Sequence, residues 1–310
     1  MEIKEITAQE YHQLARQKGP VFCSKDFLEL NKRKVDAVRY FVGRDRKNRI
    51  AFAVGEKDGD WRAPFSAPFA TMIGLRKDTG IEYYWEFVKL LNEHALKSGI
   101  KGVSIFLPPD IYSGSENAKI INALLGNGYE IEYQELNYSI PLQNIEDYAT
   151  ALQPNARNKL KLSQQAGLEL LECLDLESKK EAYEVIRINR TSKGYPLRMT
   201  QEQVLETIQV VDNDFFLVKK DDRSIAAAMV YHVTDTIVQI IYWGDIPDVG
   251  EYKPMNFFAY ELIKYYQAQG MSHLDIGPST ENGVPNFGLC SFKESIGCEV
   301  SAKYRLTITL

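Results

Sequence analysis

The chain has 310 residues, 45% of them hydrophobic and 25% charged, with a formal net charge of -5. Such a composition is globular, is long enough for about two domains of typical size, and excludes collagenous, low-complexity and disordered classes. An isoelectric point near 5.6 argues against a protein that binds DNA or an anionic membrane over its whole surface, while leaving room for a local basic patch.

The opening segment, Met1 to Ala8, has no apolar core of signal-peptide length, and no apolar run reaches the roughly 18 residues needed to span a bilayer. The chain therefore reads as cytoplasmic. Cys23, Cys173, Cys290 and Cys298 stand without CxxC spacing, and His12, His94, His232 and His273 without an HExxH pattern. Neither a disulfide framework nor a metal site is implied.

In chain order, Val35 to Val42 and Ile50 to Val54 are β-rich runs joined by the charged turn Arg44 to Asn48. A loop containing Trp61, Pro64 and Pro68 leads to a third strand, Phe69 to Gly74. The spacing of Tyr84, Phe87, Val88, Leu91 and Ala95 predicts an amphipathic helix over Ile81 to Lys97, closed by Gly99. A buried strand follows at Val103 to Leu107, then a helix at Asn117 to Leu125 and a strand at Tyr129 to Ile140.

Pro154 to Gly167 reads as a helix with Arg157 and Lys161 on one face. A second helix runs from Leu176 to Arg190, and Thr200-Gln-Glu-Gln203 is a capping box that opens a third. The loop between them, Asn189 to Arg198, is basic for so acidic a chain. It suits a solvated loop, or a clamp in which Arg190, Lys193 and Arg198 hold a phosphorylated substrate.

Strands are expected at Phe215 to Lys219, Ile225 to Tyr231 and Ile237 to Trp243, then a helix at Phe257 to Gln269 and a strand at Leu274 to Ile276. Set beside the first half, Phe87 falls on Phe258, Leu91 on Leu262, Gly99 on Gly270 and Ile105 on Ile276. The recurrence implies a duplicated domain, divided as 1–148 and 149–310. Beyond the last strand, Gly277 and Gly283 allow sharp turns, Ser279, Thr280 and Asn286 supply hydrogen-bonding groups, and Lys293 adds a charge to the helix that follows. An ordinary capped loop and an anion site both fit these residues. Tyr242 and Trp243, ending a strand, suit either a core or an acceptor pocket.

Four segments carry a likeness: Leu152-Gln-Pro-Asn-Ala-Arg157-Asn-Lys-Leu-Lys161 through Gly167; Tyr252-Lys-Pro-Met-Asn256; Gly270 with Leu274-Asp275-Ile-Gly277; and Asn286-Phe-Gly-Leu-Cys-Ser-Phe-Lys293-Glu-Ser-Ile-Gly297. With the order of elements they resemble the FemAB-like branch of the GNAT acyltransferase superfamily, which comprises aminoacyl and peptidyl transferases of cell-wall precursor synthesis and polysaccharide-associated relatives. The likeness covers nearly the whole chain in outline, with its specific motifs in the second half. It implies an α+β fold of two tandem GNAT-like domains, in α/β/α layers with mixed, mostly antiparallel sheets. It also implies transfer of an acyl or aminoacyl group to an amine of a sugar-containing cell-envelope or polysaccharide precursor.

On that resemblance Lys293 binds substrate phosphate or stabilises the oxyanion, and Arg198 meets a substrate phosphate. Asp275 positions the site or accepts a proton, or is simply a buried carboxylate that caps the Gly277 to Thr280 turn, and Asp245 is the alternative proton acceptor. Arg190, Arg157, Ser279, Thr280, Asn286, Tyr242 and Trp243 complete the expected contacts to a sugar nucleotide or other phosphorylated precursor. The chemistry needs alignment, a route for the amine proton and oxyanion stabilisation, and no covalent intermediate. Cys290 has no evident base partner.

One departure concerns the donor. Coenzyme A binders of the superfamily carry a glycine-rich turn before their long helix, and neither corresponding segment here fits it. Gly74, Arg76 and Gly80 form the better pyrophosphate candidate, because Asp245, Asp248 and Glu251 crowd the other. The donor stays open between acyl-coenzyme A and aminoacyl-tRNA, the latter bringing tRNA as a partner. An acetyl-coenzyme A-dependent N-acetyltransferase acting on a small amine and a non-catalytic ligand-binding protein are the alternatives.

Overall fold

In the computed structural model, which describes residues 1–143 and 148–310, the chain divides into two units. One comprises Met1–Leu136, Asn282–Val284 and Ser301–Leu310, the other Asn137–Glu281 and Pro285–Val300. Among the described residues no helix is long and apolar enough to cross a membrane.

The first unit contains β1 (Glu2–Ile6), α1 (Ala8–Ala15), α2 (Lys25–Asn31), β2 (Ala37–Arg44), β3 (Asn48–Lys57), β4 (Asp60–Ala63), β5 (Ile73–Gly74), α3 (Ile81–Lys97), β6 (Gly102–Phe106), α4 (Asp110–Gly126), the start of β7 (Glu130–Pro141) and most of β15 (Glu299–Thr309). Its strands run in the order β1-β2-β3-β4-β6-β15. Only β4 and β6 are parallel. Side chains alternate across the sheet as the pleat requires. Tyr40 faces Tyr11 of α1, while Phe41 and Phe52, opposite each other in register, face His94 and Phe87 of α3. The apolar stripe of α3 is buried as its helical spacing predicts.

The third strand is not where the sequence reading puts it. Asp60–Ala63 pairs with β3, and of the run from Phe69 to Gly74 only Ile73 and Gly74 pair, at Ile50 and Ala51. The reason is the Asp58-Gly59 turn, with φ of +58° and +83°, the backbone that a two-residue hairpin needs to match strand twist. It turns the chain straight back, and Trp61 is buried in the core.

The second unit holds the end of β7, then α5 (Tyr148–Ala151), α6 (Pro154–Gln165), β8 (Leu168–Glu172), α7 (Leu176–Ser192), α8 (Gln201–Thr207), β9 (Asn213–Lys220), β10 (Arg223–His232), β11 (Ile237–Asp245), α9 (Pro254–Ala268), β12 (His273–Pro278), β13 (Thr280–Glu281), and, after β14 (Val284–Pro285), α10 (Phe287–Ser295). Its strand order is β7-β12-β11-β10-β9-β8, parallel only between β11 and β12. Phe215 lies under Lys179 of α7, and its neighbour Phe216 packs on Tyr265 and Tyr266 of α9. Helices therefore cover both faces, giving α/β/α layers. Each unit repeats one plan: a hairpin, a third strand, a crossover helix, a parallel strand, and an antiparallel neighbour for that strand.

That last neighbour changes the domain limits expected from periodicity. Within the first unit β6 pairs with Arg305–Thr309 of the chain's final strand, and Leu306 sits in that unit's core. Within the second, β12 pairs with Asn137–Pro141. A β-rich run shows which of its residues share a face, but carries no mark of the strand it will join.

Candidate active site at the parting of two parallel strands

Strands β11 and β12 pair from Ile237↔His273 to Gln239↔Asp275 and no further. Beyond that point β11 continues beside β10 as far as Asp245, while β12 follows β7 past a bulge between Asp275 and Gly277. Gly277 takes a φ of +72° there, a conformation that glycine adopts without a Cβ clash. The parted carboxyl ends of parallel strands are where open α/β sheets hold ligands.

Parting leaves the carbonyls of Ile276, Gly277 and Pro278 without N–H partners from β11, and buried carbonyls need partners. Lys293 supplies them. Its Nζ donates to Ile276 O at 2.9 Å, Gly277 O at 2.8 Å and Pro278 O at 3.1 Å. An ammonium has three protons, and here all three are engaged, on a side chain only 2% exposed. Burial pushes the amine down to about 8, and Arg190 acts in the same direction. The three carbonyls favour the charged form.

Asp275, fully buried, ties the strands at the same point. It accepts from Gln239 Nε2 of β11 at 2.9 Å, Asn137 Nδ2 of β7 at 2.8 Å and the Gly277 N–H at 2.8 Å. Helix α10 is set by Asn286, whose Oδ1 accepts from the Leu289 N–H at 3.0 Å. Tyr138 of β7 lies 5.3 Å from the Lys293 amine and donates its hydroxyl to Glu294 at 3.0 Å.

On the face covered by α7, the chain after that helix forms a strap. Asn189 Nδ2 donates to Asp245 O at 2.6 Å and Lys193 pairs with the Asp245 carboxylate at 3.1 Å, both at the end of β11. Further along, Tyr195 Oη accepts from Asn286 Nδ2 at 3.1 Å and Arg198 pairs with Glu281 at 3.1 Å, both beyond the end of β12. Residues 193–198 thus join the two diverging ends. The guanidinium of Arg190 lies 5.1 Å from the Tyr242 ring and 5.9 Å from the Tyr195 ring. Among the described residues its Nε is buried with no hydrogen-bond partner, and burial lowers its hold on the proton.

Several sequence expectations meet a different geometry. Tyr242 faces α7, whereas Trp243 faces the other side and packs on Phe258 and Phe292; successive strand residues cannot line one pocket. Lys293 is held in the interior, with no proton left for a substrate. Asp275 has three donors on its two oxygens. Asp245 is half-buried and held by Lys193. Ser279 is buried, with its carbonyl accepting from Asn286 N at 2.9 Å and its Oγ unpartnered among the described residues. Cys290 is buried and its Sγ contacts that same carbonyl at 3.6 Å. Thr280 is half-buried in β13, and Arg157, exposed on α6, donates to Leu152 O at 3.3 Å.

The pyrophosphate candidate of the first unit is crowded by carboxylates. A Cβ on Gly74 would strike Glu116 and the Tyr84 hydroxyl, and one on Gly80 would strike Glu82. Arg76 lies 3.7 Å from Asp78. The start of α3 is thereby faced by its own Glu82, and a phosphate would meet like charge. Among the described residues no cluster of His, Cys, Asp or Glu could hold a metal ion.

Sequence reasoning missed Asn137, Gln239 and Tyr195. A signal existed for two of them: Gln239 is a lone polar residue inside Ile237-Val-Gln-Ile-Ile-Tyr-Trp243, and Asn137 sits likewise before Tyr138-Ser-Ile140. A polar group in a buried run requires a partner.

No family model matches the chain, and no curated protein sequence matches it. Solved structures do. FemX superposes with a TM-score of 0.73 at 15% identity, covering 100% of this chain and 98% of that one. The fold is one that FemX and tandem GNAT proteins share. L-PGS from Bacillus licheniformis follows the same course, with a TM-score of 0.59 at 13% identity over 98% of this chain and 92% of that one. A tandem GNAT protein from the clavulanic acid biosynthesis pathway gives 0.55 at 13% identity, over 99% and 98%.

Proposed function

We propose that the chain is an acyltransferase, carrying an acyl or aminoacyl group to an amine of a sugar-containing cell-envelope or polysaccharide precursor, with its centre where β11 and β12 part. The observation that carries this reading is the opening itself. It is held by Asp275 and by the three carbonyl bonds of Lys293, beside the Arg190 guanidinium, which meets no anion among the described residues. A fold with no ligand to receive has no use for an unpaired, half-buried charge.

In the reaction the acceptor nitrogen attacks the donor carbonyl, a C–N bond forms, and the ester or thioester bond to the leaving group breaks. The amine proton leaves to a base, and the departing oxygen or sulfur gains one. Asp245 is the base we favour: its carboxylate stands at the end of β11 and is released if Lys193 turns away. The β11 edge beyond Gln239, freed from β12, offers N–H groups to align the donor and hold the oxyanion. Lys293 and Asp275 act by position. Arg190 and Arg198 meet substrate anion, with Ser279, Thr280 and Asn286 along its path.

Aminoacyl-tRNA is the donor we favour, because Asp245, Asp248 and Glu251 crowd the turn before α9 with negative charge. A second reading, acetyl-coenzyme A-dependent acetylation of a small amine, is favoured by one feature: α9 opens without a side-chain cap, and bare helix N-termini suit phosphates. Calorimetry with acetyl-coenzyme A separates the two, with micromolar binding supporting the second. Incubation with charged tRNA and amino-sugar nucleotides, read by mass spectrometry, tests the first. A chain that neither binds the coenzyme nor forms an amide product is no transferase of either kind.

A further inference from the structure

Two buried carboxamides at the fork of β11 and β12 are only half used. Asn137 Nδ2 and Gln239 Nε2 both donate to the Asp275 carboxylate, at 2.8 and 2.9 Å, so each amide is fixed by its nitrogen. Turning either one over would set a carbonyl against a carboxylate, which settles which atom is oxygen and which nitrogen. Among the described residues Asn137 Oδ1 and Gln239 Oε1 then have no hydrogen-bond partner, on residues 0% and 2% exposed. Buried acceptors without a donor cost free energy, and two that share one carboxylate call for an occupant that donates to both.

Their place in the sheet says what that occupant is. Gln239 is the last residue of β11 to pair with β12, opposite Asp275, and Asn137 reaches the same carboxylate from β7. The freed edge of β11 starts at the next residue, about 3.3 Å along the strand. With the reacting carbonyl held by N–H groups of that edge, the next carbon of the acyl group and its substituent fall at the head of the fork. Water can serve both oxygens in the free protein. A group that displaces it must donate in its place or lose affinity. The methyl of an acetyl group has no proton to give, whereas an amino group has one for each oxygen. Lys293 beside Asp275 offsets the charge of that carboxylate, so hydrogen bonds to two neutral oxygens, rather than net charge, set the preference.

We infer that Asn137 and Gln239 determine which acyl group is transferred, selecting one that carries an amino group on the carbon beside its carbonyl and disfavouring acetyl. The inference rests on the acyltransferase reading and adds to it the residues that set acyl selectivity, yet the selection is measurable without any transfer.

Alanine methyl ester is a minimal probe, with an amino group, an ester carbonyl and a leaving oxygen but no tRNA or coenzyme A. Methyl propionate is the same ester without the amino group. Each is titrated into the ¹⁵N-labelled full chain, and the side-chain amide signals of Asn137 and Gln239 are followed by NMR. Alanine methyl ester should shift both signals saturably and bind about tenfold or more tighter than methyl propionate, and Gln239→Leu should remove most of that preference. Should Gln239→Leu fail to fold, the two esters on the wild type still decide. Equal binding of the two esters, no detectable binding of alanine methyl ester, binding that leaves both amide signals in place, or a preference undiminished in a folded Gln239→Leu would each overturn the inference. Discrimination between the esters in a chain that transfers no acyl group would reject the transferase reading and leave this selectivity standing. Equal transfer from acetyl and alanyl donors would do the reverse.

Discussion

A lysine that directs all three protons to consecutive carbonyls serves the backbone and not a ligand. Replacing Lys293 with Met should therefore lower the unfolding free energy by about 1–3 kcal/mol, the range for stranding a buried acceptor, as read by urea denaturation. A loss below about 0.5 kcal/mol would mean the carbonyls find other partners. Asp275→Asn should cost a similar amount, because it replaces one acceptor oxygen with an NH2 donor that faces groups which already donate. His232 offers a pH test. Its ring lies 2.7 Å from Asp214, and that hydrogen bond, against the opposing effect of burial, raises its pKa above the ordinary 6.5. The folded state then holds the proton more tightly than the unfolded chain. The stabilisation is complete below about 6.5 and is lost as pH rises through the folded value. Melting temperature should decline over that interval in the wild type and stay flatter in His232→Gln; equal slopes would dismiss the pair as a contributor.

At the scale of elements, the closeness of α7 and β11 depends on one missing side chain. A Cβ on Gly244 would collide with the Asn189 side chain that bonds the Asp245 carbonyl. Gly244→Ala should then cost roughly 1–3 kcal/mol by overpacking, read by urea denaturation. Wild-type stability would show that the helix yields freely. Elements also differ in how openly the sequence declares them. The stripe of α3 was evident because five apolar residues recur at helical spacing. Strand β4 was hidden by its shortness and by the prolines after it, although Asp58-Gly59 marked the hairpin.

For the molecule as a whole, each unit's sheet is completed by residues distant in sequence. Deleting Ser301–Leu310 removes a C-terminal segment, yet it should destabilise the N-terminal unit, whose β6 loses its partner and whose core loses Leu306. Limited proteolysis of the 1–300 chain should cut first within residues 1–136. Preferential cleavage of the second unit instead would contradict the assignment of β15.

Periodicity and turn chemistry, acting over a few residues, determined the helices, most strands, the repeated plan and the presence of charge around Arg190, Arg198 and Lys293. Tertiary structure alone decided what those charges touch. Whether an ammonium faces solvent or three carbonyls depends on where β11 and β12 separate. That separation is set by contacts among residues 137, 239, 275 and 293. Their sequence separation removes them from any local pattern, and burial, which raises the cost of an unpaired polar group, gives those contacts their force.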